Sequence, residues 1–473
     1  MRWLPVLIVA LMVQTARAAD SVWPQFRGPG GACVAVGVQK LPAEIGPDQN
    51  VIWKTPLPPG HSSPIVWGDH IFLTGERDKK LLTIGLDRAT GKVLWEAEAP
   101  YDRLEKIHQI GSHCQPTPAS DGERVVTFFG SCGLLCYDFA GKLQWRVPLG
   151  PFKNDLGAGS SPIIADDLVI LNQDHDIDSF LLAVDKRTGK TVWKVDRSEF
   201  PVGYATPVVW TVQGRKQVVI SASLRVVGYD LATGKELWTV RGMARAVHMT
   251  PTIGPDNVLY AAGWTSGGDD SDRFDVPTFD EMIAKHDANK NGTLELEEIP
   301  DGPLKSRFSM LDRNKDGHVT RAEYDFMRRV FDKALNRIIA IKPGGDGDVS
   351  ESHVLWAQRK DLPVVPSPLF FQERLFLVKP GGILTTLDAR TGKALKKERL
   401  PNAAGDYYSS PVGGDGKVYC LNERGRLTVV SAGDDWKVLH QARFEEDAYA
   451  TPALIDGRIY LRTAGHLYCF GAK

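Results

Sequence analysis

The chain has 473 residues, 42% hydrophobic and 9% aromatic, with 57 basic against 58 acidic side chains. Near-zero net charge gives no basic footprint for nucleic acid or an anionic membrane surface. The 46 glycines and 30 prolines exceed the usual share of about 12% and are spread along the chain, which points to many turns and excludes collagen, disorder and a helical bundle. Length alone allows about three domains.

Residues 1–18 begin with Arg2, continue through an apolar run from Trp3 to Val13, and end in Ala16-Arg17-Ala18. A basic start, a short apolar core and an A-x-A ending describe a cleavable secretory signal, since the run is too short to span a bilayer. The chain is therefore expected to be exported to the periplasm or beyond, with no transmembrane segment after cleavage. Residues 19–50 form an N-terminal extension. In an exported chain the six cysteines (Cys33, Cys114, Cys132, Cys136, Cys420, Cys469) either pair or stay buried as thiols. Cys114 and Cys132 share one repeat unit and are the first candidates for a bridge.

Two signatures recur from residue 51 onward. One is Asp-x-x-Thr-Gly-Lys followed two residues later by Trp, as in Asp87…Gly91…Trp95, Asp185…Gly189…Trp193 and Asp230…Gly234…Trp238. Asp138…Gly141…Trp145 is one residue shorter, and Asp388…Gly392 carries Lys396 in place of Trp. Asp accepting backbone N–H bonds and Gly at positive φ make a tight strand–strand turn. The other signature is a Ser-Pro or Thr-Pro pair at Pro64, Pro118, Pro162, Pro207, Pro251, Pro368, Pro411 and Pro452. Every interval except Pro251–Pro368 is 41–54 residues, and β-rich runs such as Ile71–Thr74 and Leu82–Leu86 follow each pair. Four short strands in about 40–45 residues is the arithmetic of a propeller blade. The spacing predicts an all-β, eight-bladed propeller of four-stranded antiparallel blades over 51–264 and 337–473. The last unit lacks its fourth strand, and Val51-Ile52-Trp53-Lys54 is suited to supply it and close the ring.

These repeats resemble the pyrroloquinoline-quinone-type β-propeller superfamily. Trp23-Pro24-Gln25-Phe26-Arg27-Gly28-Pro29 resembles the start of secreted bacterial pyrroloquinoline-quinone-like repeat proteins, which are compared with the propeller component of the outer-membrane assembly machinery. The resemblance implies the fold and an envelope location. It also raises a quinoprotein alcohol or sugar dehydrogenase, which holds its quinone over a tryptophan and under adjacent cysteines, with calcium polarising it and an aspartate as base. This sequence has no adjacent cysteine pair, so pyrroloquinoline quinone is possible but not favoured.

The interval from Pro251 to Pro368 is 117 residues and contains an insert, 265–336, between the expected second and third strands of the fifth unit. It holds two twelve-residue loops with oxygen-bearing side chains at positions 1, 3 and 5, Gly at 6 and Glu at 12. This is the EF-hand pattern of hard oxygen ligands. Asp287, Asn289, Asn291 and Glu298, with Asp312, Asn314, Asp316 and Glu323, are the side-chain ligand candidates for two Ca²⁺ ions. Thr293 and His318 would offer backbone carbonyls, and Glu295 and Thr320 stand at position 9. Thr278 and Glu281 form a capping box before an α-helix facing inward through Phe279, Ile283 and His286; Leu304, Phe308 and Leu311, then Tyr324, Met327, Phe331 and Leu335, form two more faces. Pro300 shortens the helix leaving loop one, and Leu294 and Val319 are placed to pair. The ligand count predicts an affinity of roughly 10⁻⁵–10⁻³ M. A dockerin-type module is disfavoured by the closing Glu and entering helices.

Propeller topology places the insert on the face that also gathers His61, His113, Tyr204, His248, Tyr408 and Tyr449, with Asp174 and His175 in a corresponding loop. This face is the candidate site for a small ligand or an envelope protein. The favoured function is a non-catalytic, calcium-binding scaffold in the cell envelope. No hydrolase motif or phosphate loop is present.

Overall fold

The computed structural model describes residues 22–35, 40–273 and 275–472. The secretory-signal segment lies outside the described residues. Eight sheets stand around one axis, each built on a run of four antiparallel strands, seven of them in chain order. Blades one to four span Ile65–Ala99, Ala119–Pro148, Ile163–Asp196 and Val208–Arg241. Blade five is assembled from Thr252–Ile253, Leu259–Gly263, Arg337–Ile341 and Val354–Gln358, so the insert joins its second and third strands as expected. Blades six and seven span Leu369–Arg399 and Val412–Arg443. Blade eight comprises Ala453–Ile455, Arg458–Arg462 and His466–Gly471, and Val51–Pro56 completes it by pairing with the last of these.

The Ser/Thr-Pro pairs have a shared physical task. The backbone N–H of Ser63 donates to the Thr117 hydroxyl at 2.9 Å, Thr117 N–H to Ser161, and Ser161 N–H to Thr206. The series continues through Thr250, Ser367, Ser410 and Thr451 and returns from Thr451 N–H to the Ser63 hydroxyl at 3.0 Å. One buried belt of hydrogen bonds thus encircles the axis, all pointing in the same sense. Proline follows because the residue after the belt has no N–H to leave unsatisfied.

The tryptophans lock neighbouring blades together. Trp95, Trp145, Trp193 and Trp356 each donate an indole N–H to the carbonyl that follows the turn Asp of the next blade, at 2.8–3.1 Å. Trp53 does the same to Arg88 O across the ring closure. Beneath each ring lies the turn glycine of that next blade; a Cβ on Gly189 (φ +71°) would sit 2.8 Å from Trp145. Glycine is required there for both space and backbone conformation. Lys396 substitutes functionally for Trp by donating to Trp436 O at 2.8 Å. His440 takes the same role in blade seven, meeting Ile45 O of the N-terminal extension at 3.1 Å. Trp238 is the exception: blade five has a long turn whose Gly347–Asp348 adds a parallel strand to blade four, and the indole turns to Gln217 Oε1 instead.

The extension crosses several blades before joining the ring. Trp23 pairs with Val66 of blade one, Arg27 is fully buried and donates to Pro368 O at 2.7 Å, and Cys33 O accepts from Gly413 N of blade seven. Tyr419 then donates to Pro42 O at 2.8 Å. The Trp23–Pro29 motif is a hook: Gly28, at φ +71°, lies against the Trp23 indole.

The cysteine expectation is corrected. All six cysteines are buried free thiols, and Cys114 and Cys132 pack in one apolar cluster without bonding. They serve as small buried hydrophobic residues, Cys136, Cys420 and Cys469 on blade strands and the other three in connecting segments. Among the described residues, no helix is long and apolar enough to cross a membrane.

The insert has its own small core, built from Val276, Phe279, Met282, Leu294, Leu311, Val319, Tyr324, Met327 and their neighbours. Its stems are clasped where they meet: Thr265 N–H donates to Asn336 Oδ1 at 2.9 Å and Asn336 Nδ2 returns to Thr265 O at 2.8 Å. Helix α1 (Phe279–His286) starts in the expected Thr278–Glu281 capping box. It buries Phe279 and Met282, while Ile283 and His286 are only half-buried. Helix α2 (Phe308–Leu311) is a single turn, and α3 (Arg321–Lys333) ends before Leu335. No α-helix leaves loop one, where Pro300 stands.

Candidate functional site

The two twelve-residue loops adopt the same backbone. Lys290 and Lys315 at position 4 have φ of 62° and 61°, and Gly292 and Gly317 have 83° and 90°. In loop one, Asp287 accepts from the N–H groups of Asn291 and Gly292 at 3.2 and 3.0 Å; in loop two, Asp312 accepts from Asp316 and Gly317 at 3.1 and 2.9 Å. Asn289 and Asn314 accept from position 5, and Asn291 and Asp316 from position 7, at 2.9 Å in every case. Glu298 and Glu323 reach back to the backbone near position 3. The loops pair through Leu294 and Val319 in a two-way bridge of 3.1 and 2.9 Å. These bonds curl each loop so that its oxygen-bearing side chains line the inner side. Glu295 receives Asn291 and Asn289 amides and meets His318 Nδ1 at 2.6 Å; the Asn291 bond, ahead of His318, holds its carboxyl at about 2. Thr320 is committed to capping α3 together with Glu323. Among the described residues no three His, Cys, Asp or Glu side chains are gathered as a metal cluster. The donor set relies on amide and backbone oxygens as much as on carboxylates, which suits a hard cation such as Ca²⁺.

Loop two is also the part of the insert that docks on the ring. Lys315 Nζ meets Asp176 Oδ2 at 2.7 Å and Asp155 Oδ1 at 3.6 Å. Arg313 donates to Asp176 O and Ser198 O, both at 3.2 Å, and Lys153 Nζ donates to Asn314 O. The insert is thereby laid over the ring face, and a half-open cavity of about 770 Å³ lies beneath it. Its wall draws on inter-blade linkers (Ile107, Ile110, Leu156, Val202, Tyr204, Arg245, His248, Val364, Val365, Tyr408) and on Met310, Arg313 and Met327 of the insert.

Of the residues expected on this face, Tyr204, His248 and Tyr408 line the cavity. Tyr204 and His248 stack at 4.7 Å, and Tyr204 donates to Asn154 Oδ1 at 2.8 Å. His61 stacks on Tyr449 at 4.0 Å, beside Tyr408, but neither His61 nor Tyr449 is on the wall. His113 is engaged by Glu76 at 2.9 Å. Asp174 forms a buried two-pronged pair with Arg197, and His175 is packed on Phe152 with Nδ1 at 3.1 Å from Gln173 O. Asp174 and His175 therefore hold the loop; their neighbour Asp176 reaches the site. Arg245 and the aliphatic linker residues carry no sequence motif, and Arg313 stands at a non-ligand position of loop two.

Residues 83–264 match the family model of outer membrane protein assembly factor BamB. The BamB match stops at Trp264, one residue before the clasp that begins the insert. No curated protein sequence matches the chain. In fold, the chain is similar to BamB from Moraxella catarrhalis, at 14% identity and a TM-score of 0.57, over 89% of this chain and 97% of that one. It is similar as well to quinohemoprotein alcohol dehydrogenase from Comamonas testosteroni, at 14% identity and TM-score 0.56, over 97% and 82% of the chains. The quinohemoprotein alcohol dehydrogenase ADHIIG of Pseudomonas putida HK5 gives 12% identity and TM-score 0.57, over 96% and 81%. On the BamB-like ring of this chain the cavity wall has neither tryptophan nor cysteine, so the platform the resemblance implies for a quinone has no counterpart there.

Two partly buried histidines give the ring an acid limit. Burial first, and then Arg462 beside His61 and Arg245 beside His248, pushes each imidazole down to about 4. Both are neutral in the fold, whereas the unfolded chain takes up protons below about 6.5. Stability is thus expected to fall as pH drops from 6.5 toward 4, with a slope of up to about 1.4 kcal/mol per pH unit for each histidine. Glu105, raised by burial to about 7, acts in the opposite direction between 4.5 and 7. Urea midpoints measured across this range should shift to lower urea in acid, and His61→Gln should flatten the dependence.

Proposed function

We propose that the chain is an exported, calcium-binding propeller that serves as a binding or scaffold module in the cell envelope. Its EF-hand pair acts as the roof of a ligand cavity on the ring. The observation that supports this most directly is the double use of loop two. The same twelve residues that present Asp312, Asn314, Asp316 and Glu323 also place Arg313 and Lys315 against Asp176, Asp155 and Ser198. A cation ordering that loop stabilises the docked roof, because it binds only the arrangement in which the loop is folded. The BamB-like ring supplies a rigid wall, and the insert is what distinguishes this chain from a plain ring.

Calorimetric titration of the full chain is expected to show two Ca²⁺ sites, with Glu298→Gln and Glu323→Gln each removing one. At calcium a hundredfold above Kd, stabilisation of about 2.7 kcal/mol per site is expected as a rise in melting temperature. No heat at millimolar Ca²⁺ refutes the metal assignment. The dehydrogenase alternative is tested by adding pyrroloquinoline quinone with Ca²⁺ and following dye reduction with alcohols and sugars. Turnover would replace the scaffold function with an enzymatic one.

A further inference from the structure

The chemistry of the cavity wall narrows what it can hold. Its volume, about 770 Å³, falls within the range of about 300–1,000 Å³ common for small-molecule sites. Most of the exposed wall surface is apolar, from aliphatic, methionine and tyrosine side chains, which disfavours sugars and other ligands that need many polar partners. The charged groups are unevenly satisfied. Asp176 and Asp155 on the ring are already engaged by Lys315, so they offer little to a cationic ligand. Arg313 is committed to two backbone carbonyls and stacks on Phe326 at 3.8 Å.

Lys106 also lines the wall without an ion pair among the described residues, but it is exposed to solvent; Arg245 is the partly buried cation. Among the described residues no carboxylate lies within ion-pair distance of it; its Nη1 meets only the Met310 sulfur, at 3.2 Å, and its guanidinium lies 5.4 Å from the Phe331 ring centroid. Its Nε is buried and unpartnered. Burial, and then the like charge of Arg307, pulls its pKa down to about 10. A guanidinium held in such surroundings is costly unless an anion joins it, and its planar fork matches a carboxylate in two-pronged fashion. His248, on the same wall, has a buried Nδ1 without a partner.

We infer that the cavity takes a small anionic amphiphile, a single-chain carboxylate whose head meets Arg245 and whose tail lies against Ile107, Ile110, Val202, Val364 and Val365. This inference rests on the cavity being a ligand site, as proposed above. It goes further by fixing the charge and shape of the occupant.

The test uses the full chain with Ca²⁺ and three probes of equal length: decanoate, decan-1-ol and decyltrimethylammonium, each below its micelle concentration. Decanoate is expected to bind about 10- to 100-fold more tightly than the alcohol, the size of a charge-assisted hydrogen-bonded contact. The cationic probe is expected to bind weakest. Arg245→Gln should bring decanoate and decanol within about twofold of each other, while Arg245→Lys keeps a reduced preference for the acid. Melting temperature and Ca²⁺ titration of each variant establish that it is folded. If Arg245→Gln does not fold, the wild-type ranking and Arg245→Lys decide the matter. Equal binding of acid and alcohol, or discrimination that survives Arg245→Gln, overturns the anionic class yet leaves a ligand cavity. Binding of none of the three overturns both.

Discussion

Replacing Asp174 by alanine is expected to remove about 3–5 kcal/mol of stability, the cost of leaving a buried charge without its partner. Asp174 and Arg197 are 1% and 0% exposed and share two hydrogen bonds of 2.8 Å. Arg197 also donates to the Tyr229 hydroxyl and lies 4.0 Å from the Phe200 ring centroid. Burial alone would lower the arginine's pKa, but Asp174 and Tyr229 override it and keep the guanidinium charged at all ordinary pH values. Removing only the carboxylate therefore strands the cation. The double variant Asp174→Ala/Arg197→Met should recover most of the loss, since an apolar side chain of similar length no longer needs an anion. Urea unfolding of the three variants measures this directly. A loss below about 1 kcal/mol in the single variant would show that water or a neighbouring group compensates. The effect should reach the candidate site as well. Asp176, two residues on, holds Lys315 of loop two, so loosening this strand end weakens the roof over the cavity.

The second large effect is expected at Trp53. Truncation to alanine should cost about 3–5 kcal/mol, as for other buried large-to-small changes. Its ring covers Gly91 of blade one, its N–H donates to Arg88 O at 3.1 Å, and it sits 6.0 Å from Tyr460 of blade eight. It belongs to the strand that closes the ring by pairing with His466–Gly471, so its loss loosens the seat of that strand against both blade one and blade eight. Trp53→Phe keeps much of the contact and removes the hydrogen bond, for an expected cost of about 1 kcal/mol. Equilibrium unfolding of the two variants separates packing from polar closure. Similar losses in both would assign the effect to the hydrogen bond.

The ring was legible because its devices repeat. A hydroxyl before proline, an Asp-led turn with Gly, and a Trp at fixed distance each act between adjacent blades, so spacing alone reveals them. Even Lys396 in place of Trp preserves the donor to the neighbouring turn. Trp238 shows where such inference stops, since a longer turn in the next blade takes away its acceptor. The cavity was only partly legible. Tyr204, His248 and Tyr408 could be placed near blade entrances from topology, but Arg245, Val364 and Val365 stand in linkers without pattern. Asp174 misled because its partner is 23 residues away and no local signal announces a buried arginine. The cysteines misled because an expected export permits disulfides, while the fold buries these thiols singly, for volume.

The hydroxyl belt carries one more consequence. Every blade gives one N–H and receives one at its hydroxyl, and the last bond joins Thr451 to Ser63 as the others join their neighbours. Judged by this circuit, the molecule has no first blade. Its order in space is set by side-to-side contacts, and the order of synthesis is incidental to it. A circularly permuted gene, cut in the linker between blades five and six, with Gly471 joined to Val22 by a flexible linker, should therefore rebuild the same ring.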